Sequence, residues 1–273
     1  MIYATCLNEQ QNFDNNNGML FEMQLLQENL DMSYHLNTRS IINESLDNIT
    51  AKVSKIIDTI KSFILRLLDT IKAKLNPIIT KIKTFFSGRS DSGSSEAKKR
   101  DIKNTTIKNV EILEPTDLMR TLANAIQNPV FIMSANINER LTLAEMEERY
   151  IKHTLRDSKF KSVSDITDDD LLTVKHEDIT KFDNMIYEVR KNTSFVINVF
   201  DNIDKLKKDA EMSITQLYKS LTSMITEQDR LNIKLFNLKN TAAVYGKFCN
   251  LFMGVTSKYI ANINKIINMA ESL

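Results

Sequence analysis

From Ile42 onward, apolar and polar positions alternate with a helical period. Ile42, Leu46, Ile49, Val53, Ile56, Ile60, Phe63, Leu67, Ile71, Leu75, Ile78, Ile82 and Phe85 step by three or four residues. That spacing draws one apolar stripe along a predicted helix of about 45 residues. Three successive steps of four, from Phe63 to Leu75, let the stripe drift around the helix. Pro77 is expected to kink or restart it, because a proline ring clashes with the carbonyl four residues earlier. Doublets such as Ile56/Ile57, Phe63/Ile64 and Leu67/Leu68 widen the stripe, so it must be buried in something.

The last third carries a heptad. Every seventh residue from Phe182 is apolar: Val189, Val196, Ile203, Ala210, Leu217, Met224, Leu231, Leu238, Tyr245, Phe252, Tyr259, Ile266 and Leu273 follow it. A companion series four residues on, from Ile186 through Ile214, Leu221, Cys249 and Ile263 to Ala270, is mostly apolar, with Lys207 and Gln228 as polar interruptions. The two series predict coiled-coil-like packing over 179–273, in which Lys207 and Gln228 are candidates for register control. A single rod and an antiparallel hairpin both satisfy the pattern. The hairpin is preferred, with its break between Thr226 and Asp229, because a rod would expose its whole seam.

The remaining chain is less regular. Residues 1–40 form an acidic, Asn-rich arm, and Ser87 to Arg100 is a Ser/Gly stretch ending in three basic residues, which reads as a flexible linker over 87–104. The region 105–178 is mixed. Thr106 to Leu113 and Pro129 to Ile137 have β-branched character and predict a short hairpin, while Thr116 to Gln127 and Thr142 to Leu155 predict helices. Thr142 with Glu145, and Thr167 with Asp170, have the spacing of a capping box. The acidic run Asp165, Asp168, Asp169 and Asp170 lacks the glycine and closing glutamate of a calcium loop, so capping is the expected role. The expected organisation is therefore an arm (1–40), a basic amphipathic helix (41–86), a linker (87–104), a mixed, mostly helical region (105–178) and a long helical hairpin (179–273).

Composition supports a mainly α fold. Five glycines and three prolines in 273 residues are too few turn-formers for a sandwich, a barrel or a doubly wound sheet. Thirty-six basic against 35 acidic residues leave a net charge of +1, which removes bulk attraction to nucleic acid, and nucleic-acid binding is not expected. Charge is nevertheless uneven. Between Thr50 and Arg89, nine basic residues stand against Asp58 and Asp69 alone. A solvated face of a bundle helix is one reading. The other is a basic amphipathic helix that docks in an acidic groove or lies on an anionic membrane, with Ile56, Ile60, Phe63, Leu67 and Ile71 as its contact stripe.

Candidate chemistry is sparse. His35, His153 and His176 lie far apart, Cys6 and Cys249 form no CxxC pair, and Glu145, Glu147 and Glu148 read as an acidic helix face. With no GxGxxG, GxxxxGK[ST] or GxSxG motif, neither an enzyme, nor a cofactor, nor a small-molecule substrate is expected. The first 20 residues have no basic start and no apolar run, so a secretion signal is not expected, and no stretch of 18 apolar residues spans a bilayer.

An acidic Asn-rich arm, a basic amphipathic segment running from Ile56 to Leu68, a Ser/Gly linker and a helical body together resemble the internal or minor virion proteins of large, AT-rich tailed bacteriophages. The resemblance covers the architecture of about the first 100 residues and carries over no functional residue. It implies a non-enzymatic structural or assembly component, made in the host cytoplasm and located in the virion, that associates through helices with itself or with other virion proteins. The alternative of another class is a membrane-active helical protein using 42–86.

Overall fold

The computed structural model describes residues 46–91, 107–127, 137–156, 159–179 and 182–271. The fold is mainly α. Helix α1 spans Leu46–Asp91, strand β1 Ile107–Pro115, α2 Asp117–Gln127, α3 Leu143–Thr154, α4 Asp168–Leu171, strand β2 Leu172–Ile179, α5 Phe182–Thr222 and α6 Gln228–Glu271. A 3-10 turn, Val163–Asp165, precedes α4. The acidic arm, residues 92–104 of the expected linker and Pro129 to Asn136 of the expected hairpin lie outside the described residues.

Helix α1 carries the apolar stripe as expected but is longer at its C-terminal end, taking in Ser87 to Asp91. It also runs through Pro77 without a break. The proline costs the hydrogen bond to the Ala73 carbonyl, but Ala73, Asn76 and Pro77 are all exposed, so water can satisfy that group. The last third is a hairpin, not a rod. Helix α5 stops at Thr222, the Ser223 amide bonds back to Lys219 O, and the Glu227 amide bonds to Met224 O before α6 starts at Gln228.

The capping boxes form where the spacing places them. Glu145 accepts from the Thr142 amide at 2.8 Å while the Glu145 amide reaches Thr142 Oγ1, opening α3. Asp170 accepts from the amide and hydroxyl of Thr167 at 3.0 and 2.7 Å, opening α4, and Asp165 closes a box with Ser162. The acidic run is thus spent on helix starts.

The hairpin expected between Thr106–Leu113 and Pro129–Ile137 is corrected. Strand β1 pairs antiparallel with β2, with Ile112 opposite Lys175 and Leu113 opposite Val174. Helix α2 follows β1 directly, so the strand takes a partner more than 50 residues away instead of the next extended run. A register shift between Ile107 and Val110 is absorbed at Asn109, whose φ of 53° lies in the left-handed region that Asn tolerates, and whose amide donates to Asp178 Oδ1 at 2.7 Å.

The chain divides into two compact units, and each draws on α1, the middle region and the hairpin. The first contains α1 up to Leu65, residues 137–146, α5 from Asp209 and α6 up to Asn250; its core includes Ile60, Phe63, Leu217, Leu238, Tyr245 and Phe248. The second contains α1 from Arg66, the β1–β2 pair, α2, α3 from Glu147, α4, α5 up to Lys208 and α6 from Leu251; its core includes Leu67, Ile71, Met119, Ile151, Phe252 and Tyr259. The compact units are therefore not the consecutive segments that the composition shifts suggest.

Helix α6 departs from a two-helix seam. Besides the two expected series, Lys234, Thr241, Phe248, Val255 and Asn262 are buried, a third row that packs against further neighbours. In the first unit this row meets an extended segment. Lys234 Nζ donates to Ile137 O at 2.8 Å, Asn237 accepts from the Leu141 amide and donates to Glu139 O, and Asn240 donates to Leu141 O. One face of a helix thereby satisfies backbone groups of residues 137–141, which pair with no strand among the described residues.

Candidate interaction surfaces

The contact stripe on α1 is core. Ile60 and Ile71 are 0% exposed, Phe63 4% and Leu67 2%, while Ile56 is half-buried. The doublets that widen the stripe, such as Ile57, Ile64 and Leu68, are buried as well. A band this wide finds its burial inside the chain, so the residues expected to face a partner or a bilayer are not presented by the folded protein.

The basic face has its own counter-charges. In the second unit, Lys72 reaches Asp204 at 2.5 Å, Lys83 reaches Asp201 at 2.7 Å and Asp69 meets Lys207 at 2.5 Å; in the first, Lys61 lies 3.2 Å from Glu211. Numbers rise along α1 as they fall along α5, so the two helices run antiparallel. Each pair is half exposed and contributes little alone, about 0–1 kcal/mol, but together they select one register. The hydrogen bond from Lys72 holds the Asp204 carboxyl below the usual range. Lys81 adds a hydrogen bond to Asn268 of α6 at 2.9 Å.

Lys207, a register candidate from the heptad, therefore acts between α5 and α1 through Asp69. Gln228 is not inside a seam: it is the first residue of α6, just after the turn, and is half-buried. The three glutamates of α3 do not form one acidic face. Glu145 caps, Glu148 pairs with Lys152 at 3.4 Å, and Glu147, 3% exposed, accepts from Ser162 Oγ at 2.7 Å and the Val163 amide at 2.5 Å.

Burial pushes the Cys249 thiol up to about 12 and raises the Tyr259 hydroxyl, whose ring lies 6.1 Å from Phe195. Among the described residues, no cluster of three or more His, Cys, Asp or Glu side chains is arranged to hold a metal ion, and no helix is long and apolar enough to cross a membrane.

The two edges of the small sheet are treated differently. Asn262, 8% exposed, covers the outer edge of β1: its Oδ1 accepts from the Leu113 amide at 3.0 Å and its Nδ2 donates to Glu111 O at 3.0 Å. Because Glu111 and Leu113 point their backbone groups away from β2, the alternate residues Val110, Ile112 and Glu114 make the ladder with Glu177, Lys175 and Thr173. Val174 and His176 then aim their main-chain groups at the other edge of β2, which has no strand partner among the described residues. Thr173 through Asp178 are all exposed, and Val174, at 51%, is one of the few large apolar side chains standing in solvent. Neither edge is announced by the sequence; the β-branched Thr173, Val174 and Ile179 within Leu172–Ile179 are the only local signal for β2. Comparisons of the chain with protein-family models, curated proteins and solved structures match nothing.

Proposed function

We propose that this chain is a non-enzymatic structural or assembly component of a phage virion that works by association of its folded helical body with protein. The observation that carries this reading is how the polar residues are used: carboxylates close capping boxes, lysines of α1 pair with acids of α5, and asparagines of α6 hold backbone segments. Since the α1 stripe is spent on the core, association uses the outside of the folded chain. The Asn-rich, acidic arm and the Ser/Gly stretch support the virion setting through the resemblance described above. Mass spectrometry of purified particles from the source tests it: the chain should co-purify with particles at a fixed ratio to the major capsid protein. Abundance in the lysate combined with absence from particles overturns the virion assignment.

A further inference from the structure

We infer that two copies of this chain pair through the free edges of β2, antiparallel about a twofold axis at His176. The inference rests on the association reading above and names the surface and the partner. Two-stranded sheets are marginal alone, and an open edge is a template for another strand. Here one edge is covered by a buried asparagine, whereas the other, eight residues long, has no strand partner among the described residues and is exposed from Thr173 to Asp178.

The sequence of β2 selects the register. Outward-facing residues are the even-numbered Val174, His176 and Asp178, so an antiparallel partner must place even opposite even. Centring the axis on Lys175 would set Lys175 against its own copy, a like-charge contact that costs stability. Centring it on His176 sets Lys175 of each copy opposite Glu177 of the other, with Val174 opposite Asp178 and Thr173 opposite Ile179. That register uses seven of the eight residues of the strand and makes two cross-strand ion pairs. Lys175 also touches Glu114 of β1 at 2.5 Å, yet its side chain remains 45% exposed and within reach of the edge. An isologous contact of this kind closes at two copies, because each free edge is consumed by the other. The area is small, so the dimer is reversible and concentration-dependent.

The test uses the full chain in sedimentation velocity from about 1 µM to about 200 µM. The wild type should shift from monomer to dimer across that range. Glu177→Lys and Lys175→Glu should each weaken self-association by roughly tenfold or more, since each places like charges across the axis. Mixed in equal amounts, the same two variants should form a heterodimer of wild-type strength, because Glu then faces Lys at both positions. His176→Pro removes an amide hydrogen on the outer edge and puts a ring in its place, and should abolish pairing; unchanged helical circular dichroism is required of this variant too. The charge variants leave the backbone untouched, and unchanged helical circular dichroism shows that folding is retained. A chain that stays monomeric throughout, or a dimer indifferent to the charge variants and to their mixing, overturns the inference. If such a chain is nonetheless found in particles, the virion assignment stands without this contact.

Discussion

Asn262 stands beside Leu113 as a strand would, accepting its amide at 3.0 Å while donating to the Glu111 carbonyl on the same edge. One side chain thus closes two main-chain groups that would otherwise face helix α6 unpaired. Asn262→Ala should cost about 1–3 kcal/mol, the penalty for leaving such groups unsatisfied. Urea unfolding measures the loss, and hydrogen exchange should show the Leu113 amide opening faster. An unchanged Leu113 amide would mean that the edge is protected by something else.

Truncations in α1 report on the core. Phe63→Ala and Leu67→Ala should destabilise the chain by about 3–5 and about 2–5 kcal/mol, because each empties a fully packed site. Folded wild type should adsorb to anionic vesicles only weakly and release on adding salt, since several lysines of α1 already face carboxylates. Efficient leakage of vesicle contents at physiological salt by the folded chain would put the membrane-active class first.

Much of this was legible because helical periodicity is local. The stripe from Ile49 to Ile82, the two series of the hairpin and the boxes at Thr142 and Thr167 each need only neighbours three, four or seven residues away. What escaped depends on distant partners. Nothing near Thr106 to Leu113 announces that its partner is Leu172–Ile179. The basic face of α1 looked ready for an outside anion until Asp201, Asp204 and Glu211 of α5 were placed opposite it, although their common face could have been counted. Asn237, Asn240 and Asn262 carry no signal in the sequence, because an asparagine that caps backbone has no periodic signature.

Lys207 and Asp69 offer a direct measure of register selection. A double-mutant cycle with Lys207→Ala and Asp69→Ala should give a coupling of about 0.2–1 kcal/mol, as expected for a half-exposed pair. A coupling of zero would assign the register to apolar packing alone.

Acid should loosen the chain in a defined window. Hydrogen bonds from Lys159 and Thr167 hold the Asp170 carboxyl at about 2, below its ordinary 3.8. A carboxyl with a depressed folded value contributes stability that is present above its unfolded value and lost as pH falls through the folded one. Part of the thermal stability should therefore disappear between about pH 4 and about pH 2, and Asp170→Asn should remove that part of the slope. Thermal melts across this range check it; an identical slope in the variant would exclude Asp170 as a contributor.

The Cys249 thiol should be inert while the chain is folded. It is fully buried and pushed up to about 12, so little thiolate exists at neutral pH. In a Cys6→Ser background, a disulfide reagent should label Cys249 at least about a hundredfold more slowly than in denaturant. Equal rates would show that the first unit opens readily around α6.

Helix α1 supplies buried side chains to both compact units, yet residues 92–106 alone join it to the elements that follow. Peptide-bond cleavage there would cut the polypeptide without undoing the fold. The two fragments should travel together on a sizing column and part only in denaturant, so α1 behaves as a non-covalently retained subunit of its own protein. Neither half would then be obtainable as a well-folded piece by expressing one side of that segment alone.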